Sequence, residues 1–444
     1  MVKDLTNGSV KKQLIGFSLP IILGNLFQLT YNAVDSIIVG RFAGQDALAA
    51  VGVGNPVISI VILGISGICI GASVIMSEYF GAGDRTSLKR EVATTILFGL
   101  LFAILIMGVG LLTSKGLMKL LNVPEQILSD SIVYLRIIFF GIPFTFLYNA
   151  IAASLRSVGD SNTPVKFLAI ASVMNALLDV LFVGVLSMGV AGAALATVIA
   201  EATSVVLCVI YVYRKVPVLI LRKKDLVIDK VLLKVTLQHS SITALQQSAQ
   251  PIGKLIIQSV INPLGVEAIA AFNAVNRVDD FAFTPEQSIS HGMMTFIAQN
   301  RGAGKKERVR KGLSQGLLLE CFYWIFICST IFLLRTPVMN LFVTENNVGM
   351  IPIGVEYLGL MAFFYVLPAF TNGMQGYFRG MGKMKITLIG TLTQISVRVL
   401  FVIILVPKIG LIGVAYASAL GWILMLIVEL PYYFILNRKY RETT

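Results

Sequence analysis

Two carboxylates, Asp35 and Asp179, stand in stretches that are otherwise apolar. Asp35 follows Gln28 by seven residues and Tyr31 by four, with Asn32 between them. That spacing places Gln28, Tyr31 or Asn32, and Asp35 on one face of a helix. Asp179 follows Asn175 by four residues, and Glu201 follows Thr197 by four, so each of these pairs also shares a helical face. Asn149 adds another amide inside an apolar run. Two carboxylates with amide and hydroxyl oxygens make a hard-oxygen set, suited to a small cation or a shared proton. Like charges drawn together cannot both stay ionised cheaply, so such a site favours uptake of a positive charge. The alternative is that each polar group separately hydrogen-bonds a neighbouring helix.

The elements that must hold these residues are membrane helices. Apolar residues make up 56% of the 444-residue chain and charged residues 13%, and mean hydropathy is +0.83. A soluble domain carries about 25% charged residues. Twelve apolar runs are long enough to span a membrane, at about 14–39, 53–79, 92–113, 128–152, 164–187, 190–212, 234–261, 270–298, 313–334, 353–377, 384–406 and 410–435. They are long and continuous, not alternating, which speaks against a β-barrel. No cleavable leader is expected, because the first run has full spanning length and no small-residue cleavage site stands out. Within this frame Asp35 lies about six to nine residues before the outer end of its helix. Asp179 lies about ten before Gly189 and Thr197 eight after it. At ~1.5 Å per residue these groups share one depth, in the outer half of the membrane, with Asn149 somewhat deeper. Pro20, earlier in the first helix, removes a backbone hydrogen bond and predicts a hinge there.

Basic residues set the orientation. Arg41, Lys115, Lys119, Arg335 and Lys408 fall on one side, and Arg136, Lys254, Arg277 and Arg398 fall within spans. The other 27 of the 36 Lys and Arg lie on the side of the two termini. The positive-inside rule therefore predicts a multi-pass protein of the cytoplasmic (inner) membrane with both termini cytoplasmic. It also accounts for the net charge of +13 without a nucleic-acid partner. The basic segment from Arg214 to Lys234 reads as a linker lying near anionic headgroups.

The chain is written twice. Gly81-Ala82-Gly83 recurs as Gly302-Ala303-Gly304, an offset of 221. Leu48-Ala49-Ala50 recurs as Ile269-Ala270-Ala271, and the Gly189 to Thr197 pattern recurs from Gly410 to Ser418. Six spans per half insert both halves the same way up. The expected fold is an all-α integral membrane protein with twelve transmembrane helices. These form two six-helix bundles, residues 1–221 and 222–444, related by a pseudo-two-fold axis along the membrane normal. The copies differ in their acids. Asp179-Val-Leu-Phe-Val becomes Arg398-Val-Leu-Phe-Val, Asp35 becomes Ile256 and Glu201 becomes Trp422, so the carboxylate site belongs to the first half. The second half carries Lys254, Arg277, Asp279, Asp280, Glu286, Glu320 and Arg398. These either pair with each other, as Arg277 could with Asp280, or place Asp279, Asp280 or Glu286 on a cation-attracting wall of a substrate cavity.

No catalytic constellation stands out, and an enzyme is not expected. The four cysteines, Cys69, Cys208, Cys321 and Cys328, read as packing residues, with no CxxC pair. The two histidines, His239 and His291, are too few and too far apart to suggest a metal site. No metal is implied beyond Na⁺ at Asp35 and Asp179.

These residues resemble the MATE (multidrug and toxic compound extrusion) transporters of prokaryotic type. The resemblance rests on Pro20, Gln28, Tyr31, Asp35, Gly44, Leu48-Ala49-Ala50 and Gly81-Ala82-Gly83. It continues through Arg156-Ser157-Val158-Gly159, Asn175-x-x-x-Asp179, Gly192 to Thr197, and Gln299-Asn300-x-Gly302-Ala303-Gly304. It covers nearly the whole chain in order. It implies twelve helices in two bundles forming a V, and export of organic cations and drug-like molecules in exchange for Na⁺ or H⁺. It also implies a cation-coupling site at Asp35, Asn175, Asp179 and Thr197, with Gln28, Tyr31 and Asn149 around it. It supplies no role for Glu201, which joins the supporting residues on position alone. Tyr31, Asp35, Glu201, Asp280 and Glu286 are the candidates for a substrate wall. No cofactor besides the coupling ion, and no obligate protein partner beyond the lipid bilayer, is implied. A flippase for lipid-linked glycan precursors of the same superfamily is the alternative. A cavity for pyrophosphate should be mainly cationic, whereas the first-half site is acidic.

Overall fold

In the computed structural model, residues 2–342 and 349–442 are described. Among the described residues thirteen α-helices carry the fold. The first six are α1 (Val10–Phe42), α2 (Gln45–Gly81), α3 (Arg85–Leu120), α4 (Glu125–Ser157), α5 (Asn162–Asp179) and α6 (Gly189–Lys215). Then come α7 (Lys230–Ile261), α8 (Val266–Gly302), α9 (Lys306–Asn340), α10 (Met350–Phe364), α11 (Val366–Gly380), α12 (Met384–Ile409) and α13 (Ile412–Glu442). Helices α10 and α11 are one apolar segment bent by 43° at Tyr365. Pro368 lies three residues past the bend and cannot donate to the carbonyl of Phe364, which explains a break there. Counting that pair once gives twelve helices, the expected all-α membrane fold.

Two expected spans are less apolar than the sequence reading had them. Among the described residues nine helices are long and apolar enough to cross a membrane, or ten with the bent pair. The shortfall falls on α7 and α8, which have the length, at 32 and 37 residues, but carry many amides and charges. Elsewhere apolar side chains point outward. Only 11% of the most apolar window of α9 is buried within the protein, and Leu112, Leu333 and Leu341 are more than three-quarters exposed. Such a surface is stable only against lipid.

The chain divides into two compact units. The first holds the N-terminal residues to Asn7, Leu19–Gln247 and Ala298–Gly304. The second holds Gly8–Ser18, Ser248–Ile297 and Lys305 onward. In the first unit α2, α3 and α6 all pack on α4. Their core includes Ile65, Leu135, Ile142 and Phe146. The first half of α7 belongs to this unit and lies directly on α2. A Cβ at Gly71 would stand 2.7 Å from Ser240 Cα, and Gly67 faces the backbone at Ala244 just as closely. Ser240 donates to the carbonyl of Ile68 at 2.8 Å, and Thr236 to Glu91 at 2.7 Å. The last turn of α8 is held here too. Gly302 meets the carbonyl of Glu78, Gly81 meets that of Gln299, and Arg301 pairs with Glu78. The repeated glycines are therefore contact points where a side chain would not fit. In the second unit α13 packs on α10, α11 and α12, while α9 packs on α10 and α11.

Helix α5 ends earlier than the expected span. After Asp179 the backbone widens into a π-helical turn, Val180–Val185, before Gly189 opens α6. Such turns disturb the regular bonding ladder and recur at functional sites.

Candidate functional site

Asp179 is the last residue of α5 and is fully buried, at 0% exposure. Its carboxyl group lies within hydrogen-bonding reach of that of Asp35, which comes from the outer part of α1. Neither residue has a basic partner among the described residues. Both oxygens of Asp179, Oδ1 of Asp35 and Oδ1 of Asn175 are buried without a hydrogen-bond donor. One proton between the two carboxyl groups would link them, and a cation would bind their oxygens together.

The remaining predicted residues arrange around this pair. Asn175 is 1% exposed, and its Nδ2 lies 3.5 Å from Thr197 Oγ1, the long limit of a hydrogen bond. The Thr197 hydroxyl donates within its own helix, to the carbonyl of Ala193 at 3.1 Å. Its lone pairs therefore stay available on the side of Asn175. Tyr31 stands in the electrostatic range of Asp35, Asp179 and Glu201. Glu201 receives a hydrogen bond from Thr145 at 2.5 Å, and Asn149 donates to the carbonyl of Thr145 at 2.8 Å. Asn149 and Glu201 thus meet at Thr145 on α4. Gln28 is exposed on α1 and makes no hydrogen bond among the described residues. The side chain of Asn32 lies outside the described residues.

Two neighbours were not singled out from the sequence. Tyr134 of α4 faces the same three acids as Tyr31, and Thr145 is the partner of Glu201. Thr145 precedes Asn149 by four residues and so shares its helical face, which was a usable signal. Tyr134 stands alone in its stretch of α4 and gave none.

The second unit does not repeat this arrangement. Lys254 pairs with Asp280 at 3.2 Å, while Arg277 is exposed and unpaired among the described residues. The suggested pairing of Arg277 with Asp280 is thereby corrected: the long stem of Lys254 reaches Asp280 from α7. Asp279 is 4% exposed and accepts a hydrogen bond from Tyr365, at the bend between α10 and α11, at 2.5 Å. Arg398, the counterpart of Asp179, acts electrostatically on Asp279. Glu286 is 0% exposed and receives a hydrogen bond from Asn372 at 3.3 Å.

A model of the family described as MatE matches the chain twice, over residues 20–181 and 243–404. The two matches begin 223 residues apart, close to the 221-residue offset of the repeated motifs. "Probable multidrug resistance protein YpnP" of Bacillus subtilis (strain 168) is 30% identical over 388 residues, which is 87% of this chain and 86% of that relative. "Probable multidrug resistance protein YoeA" of the same organism is 29% identical over 443 residues, covering 97% of this chain and 95% of that relative. A solved structure described as "Crystal structure of MATE in complex with MaL6" superposes with a TM-score of 0.93 at 23% identity, over 99% of each chain. That likeness concerns the fold.

Proposed function

Because the chain belongs to the MatE family of multidrug-efflux membrane transporters, we propose that it is a secondary active antiporter. It exports organic cations or related drug-like molecules across the cytoplasmic membrane in exchange for Na⁺ or H⁺. The observation that carries this reading is the pair Asp35 and Asp179, whose buried oxygens have no donor and no basic neighbour. Ions in a membrane interior cost at least ~2.5 kcal/mol each on insertion scales, so an unpaired acid pair needs a positive charge to bind.

Coupling then has a simple physical form. A Na⁺ or H⁺ bound at Asp35 and Asp179 removes the repulsion between α1 and α5. Loss of that ion restores it. An ion and a substrate exchange when they prefer different states of the protein, and the coupling is reciprocal. Tyr31 and Glu201 flank the pair and supply an aromatic face and a further acid for a lipophilic cation. In the second half Asp280 contributes to the substrate wall, its charge partly answered by Lys254. Pro20 serves as the hinge of α1. Halves at 1–221 and 222–444, with both termini in the cytoplasm, complete the proposal. The acidic first-half site speaks against a pyrophosphate-handling flippase.

Inverted membrane vesicles containing the protein provide the test. A fluorescent cationic dye should accumulate when an inward-directed gradient for the cell, of Na⁺ or of H⁺, is imposed across them. Accumulation of an anionic glycan pyrophosphate with no response to the cationic dye would contradict the proposal.

A further inference from the structure

The first half of α7 is held on one side and open on the other. Thr236 and Ser240 are buried, and their hydroxyls donate to Glu91 of α3 at 2.7 Å and to the Ile68 carbonyl of α2 at 2.8 Å. Just before the helix begins, the backbone N–H of Asp229 donates to the Thr94 hydroxyl at 3.1 Å. These bonds fix the rotation of α7 about its axis, so its opposite face is held outward. On that face Lys230, Leu233, Lys234, Leu237, Gln238 and Ser241 line one concave strip, all within the first unit. Spacings of three and four residues put them in a single row.

The row has polar groups left open. Lys230 and Lys234 are exposed and make no ion pair or hydrogen bond among the described residues. Asp229, the acid that precedes them, is occupied. Its carboxylate accepts from the backbone of Val231 and Leu232 at 2.9 and 3.2 Å and stands 3.8 Å from Arg90. Gln238, one turn beyond Lys234, is exposed and likewise makes no hydrogen bond among the described residues. The Ser241 hydroxyl is taken up by the Leu237 carbonyl at 2.6 Å. Leu237 and Leu245 turn outward, 41% and 55% exposed.

We propose that this strip binds one anionic phospholipid. The phosphate lies between Lys230 and Lys234, whose stems run along the apolar surface while their ammonium groups reach the headgroup. The amide of Gln238 donates to an ester carbonyl of the glycerol, and an acyl chain lies along Leu237 and Leu245. From Lys230 to Leu245 the helix rises roughly 22 Å, the reach of a headgroup and much of a chain. An amide turned toward hydrocarbon without a partner costs free energy, and a lipid ester supplies the acceptor at that depth. The general attraction of a basic linker to a charged surface needs no particular residue. Two unpaired lysines and a bare amide in one row on a rigid face define a single site. The proposal rests on the membrane placement of the chain and not on what it transports.

The test measures lipid bound to the purified full-length protein in detergent, by native mass spectrometry during titration with phosphatidylglycerol. The wild type should hold one phosphatidylglycerol tightly. Lys230→Gln/Lys234→Gln should hold it at least roughly tenfold more weakly, and Gln238→Leu several-fold more weakly. Lys223→Gln/Lys224→Gln removes equal charge from the neighbouring linker and should leave the tight site intact. Phosphatidylcholine with the same chains should bind the wild type only weakly, and inorganic phosphate should not displace phosphatidylglycerol. All of these positions are exposed, so the variants keep the fold. Tight binding retained in Lys230→Gln/Lys234→Gln would overturn the proposal. Equal loss in the two double variants would overturn it as well, since that result marks a diffuse attraction. Displacement by inorganic phosphate would show a free-anion site instead.

Discussion

Asp179 has two carboxylate oxygens buried with no donor, at the end of a membrane helix. The sequence made Asp35 and Asp179 legible because a charge in an apolar run stands out without any alignment. It also grouped Asn175 and Thr197 at one depth. Their near contact follows from the turn that joins α5 to α6. Thr145 and Tyr134 were harder, since a hydroxyl or a ring in a membrane helix is common and needs no partner in view. At this scale Asp160 offers a clean prediction about stability. It sits between α4 and α5, 1% exposed, and accepts from Thr163 N at 3.1 Å, Thr163 Oγ1 at 2.8 Å and Tyr211 OH at 2.9 Å. Burial pushes its pKa up, but the hydrogen bonds that its charged form accepts, those from Thr163 and Tyr211 among them, outweigh burial and hold it below the usual carboxylate value. A lowered folded-state pKa means stability that is complete above the unfolded value and lost as pH falls through the folded one. Asp160→Ala should therefore lower the thermal midpoint at neutral pH, by the equivalent of about 1–3 kcal/mol. The difference from wild type should shrink in acid. Thermal unfolding of both proteins in detergent across pH checks this, and a pH-independent difference would count against it.

At the scale of elements, α1, α7 and α8 are the helices that change company. Residues Gly8–Ser18 belong to one unit and residues from Leu19 to the other, so Pro20 lies beside the changeover. Pro20→Ala restores a backbone donor and stiffens α1. It should weaken ion-driven dye transport at least several-fold more than it weakens dye binding. Parallel transport and binding assays on one preparation measure the two, and equal loss in both would remove the hinge. Helix α7 changes units between Gln247 and Ser248, and its first half lies on Gly67 and Gly71 of α2. Gly71→Leu forces a side chain against Ser240 Cα and should destabilise the protein by about 1–3 kcal/mol or more, seen as a lower thermal midpoint. Gly52, which has no atom within 4 Å of its would-be Cβ, should accept Ala with little change. Element boundaries were only partly readable. The break at Tyr365 was signalled by Pro368, but the π-helical turn after Asp179 has no proline or glycine at its start. The reduced apolarity of α7 and α8 was visible in their composition and was outweighed by their length.

For the whole molecule the internal repeat is what the sequence displays most openly, and the family matches fall on the same two halves. A duplicated frame with unequal acids separates what the fold needs from what the chemistry needs. Glycine contacts recur in both copies, at Gly81 and Gly302, whereas the carboxyl pair Asp35 and Asp179 does not. The central claim is that Asp35 and Asp179 together bind the ion that drives export. The most direct measurement is dye transport by purified protein in proteoliposomes under an imposed Na⁺ or H⁺ gradient, comparing wild type with Asp35→Asn and Asp179→Asn. Each single variant should insert and bind detergent-solubilised dye as the wild type does, yet lose gradient-driven transport. Gradient-driven transport at the wild-type rate in both variants would contradict the account.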